Sequence, residues 1–368
     1  MKLLIPYAVI VLVAIAAYGA VLINGSGFSH PDDIFASRLQ CCGFRPLLAL
    51  SYQLNSVIGG WMILNVFLHV MAGWLLYRLS GSLWGACLFV AHPMAADAVA
   101  SVAGRSALLL AVSVLCAVGA TRRWRWIFIA ALIGTAGFVP SYFGTILNAP
   151  NFLDHLWRYM GALASYVLPR LFLPLHLSAD PLITPSLIWT ALGIVIIGLS
   201  MGLIISLRGT PWAAGLALLI LPLLPYAFVA LPDVFLEHRA YLAIAGASLL
   251  LARVLRNTKV ARYAVVGLFI ILSNVRADVY SSQLKLWEDA AWKSPMSARA
   301  HLNLGSSYAQ AYRLTEAESE FRWAIALNPD MGMAWQNLSV LQAVRGNIGE
   351  ASRILDAQLA HQQSKLHQ

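Results

Sequence analysis

Apolar residues fill the first three quarters of the chain in blocks of about twenty, separated by short polar gaps. A block of that length is what an α-helix needs to cross the hydrocarbon core of a bilayer. Blocks near 3–23, 57–77, 80–92, 106–120, 125–143, 186–207, 211–231, 240–256 and 262–276 predict about nine spans. They are predicted helical because a helix satisfies its own backbone groups where no water is at hand. The third block is short and stops at the His92-Pro93 step. The stretch 151–177, with Arg158, Arg170 and two prolines, suits an interfacial or re-entrant element. The first block follows Lys2 as a signal peptide would. It is long for one and lacks a small-x-small cleavage site, so it reads as an uncleaved span.

The pattern changes after residue 278. From Gln283 onward the charges balance, with eight basic and eight acidic residues, and apolar positions recur at helical spacing. Leu304-Gly305, Tyr308, Ala317, Phe321, Ala324 and Pro329 follow the spacing of a tetratricopeptide repeat. A shift of 34 residues places Leu338 on Leu304, Ala351 on Ala317 and Leu355 on Phe321. Two repeats, about 298–331 and 332–365, are expected in a helical domain at 283–368. Either a helix around Trp287–Trp292 or the membrane part would cover an exposed face. The predicted fold is therefore all-α: a polytopic membrane bundle over 1–278, followed by a tetratricopeptide-like helical domain.

Composition narrows this further. Sixty per cent of the residues are hydrophobic and 11% charged, against roughly a quarter charged in ordinary soluble domains, with a mean hydropathy of +0.71. This excludes a soluble enzyme, and nothing in the sequence points to nucleic acid. Before Gln283 lie 17 of the 25 basic and eight of the 16 acidic residues. Arg122, Arg123, Arg125, Arg208, Arg253, Arg256, Lys259 and Arg262 fall on one side if Lys2 is cytoplasmic. Asp32, Asp33, Asp97, Asp154, Asp180, Asp233, Glu237 and Asp278 then lie on the other side, with the tail. The four cysteines suggest no redox or metal chemistry. Cys87 and Cys116 sit in apolar runs, and Cys41-Cys42 are adjacent.

Four polar sets on the acidic side could carry chemistry. Asp32-Asp33, near Arg45-Pro46, could take a proton from an attacking hydroxyl or hold a divalent cation. In His92–Arg105 (HPMAADAVASVAGR), Arg105 offers a planar fork for a phosphate, and His92 and Asp97 could assist. Glu237-His238-Arg239 places three ionisable groups at the mouth of an apolar span, where they must be paired or used. Pairing of Glu237 with Arg239 is the simplest arrangement. Asn65 and His69 share a helix face, either for a bond between helices or for a substrate.

In their order, these residues resemble the transmembrane and tetratricopeptide-repeat O-mannosyltransferases (TMTC type) and bacterial relatives, within the GT-C class of membrane glycosyltransferases. The pieces are DD after the first span, RPL at Arg45–Leu47, Asn65…His69, and HP…AVA…GR from His92 to Arg105. YVLPRLFLPLHLS at 166–178, EHRAYL at 237–242, the Trp287 region and the repeats complete the series. Ala95, Asp97 and Ala107 stand where that family often has His, Glu and an acid.

The resemblance implies a sugar donor on a polyprenyl phosphate, used from the extracytoplasmic side, and an acceptor hydroxyl on a protein presented by the repeats. One carboxylate of Asp32-Asp33 would be the general base. Arg45, His92, Arg105 and Arg239 would hold the donor phosphate, supported by Asn65, His69, Asp97, Glu237 and His238. The setting would be the inner membrane of a bacterium. A non-catalytic scaffold whose repeats recruit a partner, or a lipid-linked sugar transporter, would use many of the same residues.

Overall fold

A computed structural model describes residues 4–24, 46–58, 61–102, 104–120, 152–184, 186–228 and 234–366. Among these the regular structure is helical, and no strand occurs. The chain divides into two compact units. The first comprises Met1–Leu177 and Ile183–Ser281, and the second comprises Ser178–Leu182 and Ser282–Gln368. The second unit thus takes up a five-residue piece that lies well inside the apolar part of the sequence.

In the first unit, α1 (Ile5–Asn24), α2 (Pro46–Ile58), α3 (Trp61–Ser80), α4 (Leu83–Val90), α5 (Ala96–Ala100) and α6 (Arg105–Gly119) come first. They are followed by α7 (Phe152–Ala162), α8 (Leu168–Phe172), α9 (Leu187–Ser206), α10 (Pro211–Ile220), α11 (Tyr241–Val254) and α12 (Lys259–Val279). Among the described residues, five helical stretches are long and apolar enough to cross a membrane: Ile5–Leu22, Met62–Ser80, Leu187–Ser206, Glu237–Asn257 and Lys259–Val279. The predicted third span is a bent pair, Leu83–Val90 and Pro93–Ala100, with a 53° change of direction. Pro93 has no N–H to continue the ladder, and the His92 side chain caps the new start by accepting from the Met94 N–H. The predicted fourth and seventh spans are the shorter apolar helices Arg105–Gly119 and Pro211–Ala227, while 125–143 lies outside the described residues.

The expected interfacial element is α7 and α8 joined by a π-helical stretch, Leu163–Val167. Pro169 cannot donate to the Ser165 carbonyl, as a helical residue would. The Arg170 guanidinium donates instead to the Ser165 and Tyr166 carbonyls, at 3.4 and 3.2 Å.

The helices of this unit are in register end to end. At one end Tyr7 meets Trp74 and Tyr77 edge-on, Trp84 meets Tyr263, and Arg253 lies over Trp212. At the other end Tyr18 donates to the His92 carbonyl, Ser273 to the Ala91 carbonyl, and Asn65 to the Val99 and Ser101 carbonyls. Close approach is built in where α10 crosses α11. A Cβ on Gly246 would come within 2.2 Å of the Leu219 backbone nitrogen.

In the second unit, α13 (Gln283–Lys293) precedes two helical hairpins, α14 (Ala298–Gln310) with α15 (Leu314–Leu327) and α16 (Gly332–Val344) with α17 (Ile348–Leu366). Leu302, Ala317, Phe321, Ala324, Leu338, Leu341 and Ile354 form one core, and Ala290, Ala300 and Leu304 a second beneath α13. Phe321 packs so closely on Gly305 that a Cβ there would lie 2.7 Å from its ring. This packing is compatible with a tetratricopeptide-like domain. Asp180, from the inserted piece, receives two bonds from Arg299 and one from Ser297.

Candidate functional site: a buried polar band at one end of the bundle

The Asp97 carboxylate accepts from both the backbone N–H and the Nδ1 of His238, at 3.0 and 2.8 Å through the same oxygen. α5 supplies Asp97, and a single 3₁₀ turn, Glu237–Ala240, supplies His238. One residue earlier on that turn, Glu237 accepts from Arg276 at 3.1 Å, and the Tyr280 hydroxyl lies 3.5 Å from the same carboxylate oxygen. Glu237 and Arg276 side chains are 1% and 5% exposed. Arg276 and Tyr280 stand one turn apart at the end of α12, so both reach the same partner. The cluster therefore joins three chain segments through charge-assisted bonds, which are shorter and stronger than neutral ones. The partner for Glu237 that sequence reading missed is Arg276. Its signal was a lone cation in the last turn of an apolar helix, where a charge must be paired or used.

Asn65 and His69 both make bonds between helices. Asn65 spends its amide on the Val99 and Ser101 carbonyls, at 3.3 and 2.8 Å, and its oxygen accepts from Arg105 Nε at 2.9 Å. His69 Nε2 faces the Val90 carbonyl at 3.1 Å and must donate to it. Nδ1 then accepts from the Tyr241 hydroxyl at 2.6 Å. Tyr241 is a second residue that sequence reading did not single out.

Arg105 is fully buried. Besides Asn65 it donates to the Ser51 carbonyl at 3.3 Å and lies 5.2 Å from the centre of the Tyr52 ring. Its position depends on Gly104, where a Cβ would sit 2.4 Å from Ala98 Cα and 2.5 Å from the Asp97 carbonyl oxygen. His92 is equally committed. Nδ1 accepts from Met94 N–H and Nε2 donates to the Leu171 carbonyl, both at 3.2 Å. Ala95, where the resembled family often carries a histidine, is fully buried.

Arg239 follows His238 on the same turn. It is half-buried, with its guanidinium 5.7 Å from the centre of the Tyr226 ring. Of the residues proposed to hold a phosphate, it is the one in the described set that keeps solvent contact while sitting on the cluster's own turn. Asp32, Asp33 and Arg45 lie outside the described residues. Among the described residues no group of three or more His, Cys, Asp or Glu side chains converges as metal ligands would.

This arrangement can hold charge in a dry setting and keep three helix ends in fixed relation. With Arg239 it also offers a cation at the edge of the band. No family model matches the chain, and no solved structure matches it. Three curated proteins are similar over part of it. Protein O-mannosyl-transferase TMTC2 of Mus musculus is 26% identical over 159 residues, covering 37% of this chain and 19% of its own length. Protein O-mannosyl-transferase Tmtc1 of Drosophila melanogaster is 36% identical over 93 residues, covering 22% and 11%. Protein O-mannosyl-transferase Tmtc2 of Drosophila melanogaster is 36% identical over 117 residues, covering 27% and 12%. The chain is thus distantly similar to O-mannosyl-transferases named as TMTC proteins, and its matches span less than a fifth of those relatives' length.

Proposed function

We propose that this chain is a membrane glycosyltransferase of the GT-C kind. It would move a sugar from a polyprenyl-phosphate donor to a hydroxyl of an extracytoplasmic protein. The observation that carries the reading is the polar band itself. Asp97, hydrogen-bonded to His238, and the Glu237–Arg276 ion pair gather ionisable groups at one end of an apolar bundle, a costly arrangement outside a working site. The chain also shares sequence with O-mannosyl-transferases.

In this reading one carboxylate of Asp32-Asp33 takes the proton of the acceptor hydroxyl as its oxygen bonds to the anomeric carbon. The bond from that carbon to the phosphate oxygen breaks, and the electron pair leaves with the polyprenyl phosphate. Arg239 faces the departing phosphate, whose developing charge a guanidinium stabilises. Arg45 belongs to the same phosphate-binding set. The paired residues Asp97, His238, Glu237 and Arg276 hold the turn that aims Arg239, while His92, Asn65, His69 and Arg105 lock the helices behind it. Asp32-Asp33 is also where a divalent cation would be held, if the transfer uses one. The helical second unit would present the acceptor, and the setting would be a bacterial inner membrane with that unit outside.

The test compares intact masses of extracytoplasmic proteins from cells carrying the wild-type chain, Asp32→Asn or Asp33→Asn. Loss of a hexose-sized increment in at least one variant, with normal membrane insertion, supports the reading. Wild-type increments in both remove the pair from the mechanism, and no increment in wild-type cells removes the activity.

A further inference from the structure

The opposite end of the bundle carries a second charged feature, unrelated to the polar band. The turn between α11 and α12 places Arg253, Arg256, Lys259 and Arg262 within ten residues. Arg253 is half-buried 5.5 Å from the centre of the Trp212 ring, and Arg262 is half-buried 4.9 Å from that of Trp84. Arg256 and Lys259 are exposed. Among the described residues none of the four meets a carboxylate. The first unit's described acids, Asp97, Asp154, Glu237 and Asp278, belong to the other end, where Asp97 meets His238, Asp154 meets Arg158 and Glu237 meets Arg276. The sequence holds no acid from 34 to 96, 98 to 153, 181 to 232 or 238 to 277, so no segment joining helices at this end can neutralise the cluster. The same turn also bares apolar side chains among and beside its cations: Val254, Val260 (83% exposed) and Tyr263.

Four uncompensated cations interleaved with bare apolar side chains, between two tryptophans, suit an amphiphile with an anionic head rather than a free anion. We infer that this turn binds the headgroup of an anionic phospholipid. Arg253 and Arg262, held on their rings, present guanidinium forks to the phosphate. Arg256 and Lys259 close over it from the water side, and the acyl chains lie along Val254 and Val260.

The experiment uses the full chain purified in detergent, with bound lipid counted by native mass spectrometry during titration with phosphatidylglycerol, phosphatidylcholine or inorganic phosphate. Phosphatidylglycerol should bind at least tenfold more tightly than phosphatidylcholine. The Arg256→Ala and Lys259→Ala changes should each weaken it about fivefold. Both positions are exposed and pair with no described residue, so folding is not at stake. Arg158→Gln, at the far end, should leave binding unchanged. Equal binding of the two lipids overturns the site, as does wild-type affinity in the Arg256→Ala/Lys259→Ala double variant. Displacement of phosphatidylglycerol by an equal concentration of inorganic phosphate makes it a soluble-anion site and overturns the lipid assignment.

Discussion

Glu237 and Arg276, 39 residues apart, form an ion pair at 3.1 Å in which both side chains are almost wholly withdrawn from solvent. Removing one partner of such a pair leaves an uncompensated buried charge, which costs about 3–5 kcal/mol. Arg276→Ala should therefore lower the thermal unfolding midpoint of the detergent-purified chain sharply. The double change Glu237→Leu/Arg276→Met should recover most of the loss, because an apolar pair of similar volume needs no partner. A double variant no more stable than Arg276→Ala would show that the ion pair is not what matters there.

Arg239 and Arg105 should separate into different roles. Arg105 is fully buried on Asn65, Ser51 and Tyr52, so Arg105→Gln should cost stability, about 2 kcal/mol or more from the groups left unsatisfied. Arg239 is half-buried and keeps solvent contact, so Arg239→Gln should lower the unfolding midpoint less than Arg105→Gln does. It should reduce sugar transfer by about a hundredfold or more, the scale of losing one group that stabilises developing charge. Parallel melting curves and transfer assays decide this. Full activity in Arg239→Gln would exclude it from the phosphate site.

In the second unit, His301 faces two acceptors, the Glu320 carboxylate at 2.6 Å through Nδ1 and the Pro295 carbonyl at 2.9 Å through Nε2. Both ring nitrogens must then carry protons, so the folded form selects the imidazolium. Burial works against the charge, but the Glu320 and Pro295 bonds and the Glu320 charge outweigh it, and the pKa is raised above 6.5. The stabilisation should be complete below the unfolded value of about 6.5 and fade as pH rises through the folded value. Amide exchange in α14 and α15 should accelerate over that window, and His301→Phe should flatten the change. Exchange that slows as pH rises, after correction for the intrinsic rate, would reverse the assignment.

Gly104→Ala tests the backbone approach beneath Arg105. A Cβ there would collide with Ala98 Cα at 2.4 Å, backbone that cannot turn aside as a side chain would. The expected cost is about 1–3 kcal/mol in thermal unfolding, well above that of Gly198→Ala, where a Cβ meets open space.

Much of the fold was legible because spans announce themselves by length and polarity. Among the described residues, the five helices long and apolar enough to cross, and the break at His92-Pro93, lie where apolar runs and a proline put them. The partners of the polar residues were less accessible. Glu237 stood beside Arg239 in sequence, and Arg276 showed only as a cation ending an apolar helix, with nothing to say that the two would meet. Asn65 and His69 share a face and bond between helices as expected, but which helices they reach, toward Arg105 and Tyr241, is not written locally. Such pairings depend on which helices become neighbours, and that is decided by packing over the whole bundle. Asp32-Asp33 stayed where the sequence left it, a motif whose place in the site rests on chemistry and resemblance.

The piece Ser178–Leu182 alters how the two units can be taken apart. Asp180 is held by Arg299 and Ser297, so the chain passes between units three times, not once. No single cut separates them. A truncation before Ser282 removes Arg299 and strands an acidic loop still attached to the membrane unit. A deletion meant to ask what the helical unit recruits would thus injure both halves. Point changes on the surfaces of α13 to α17 are the cleaner instrument.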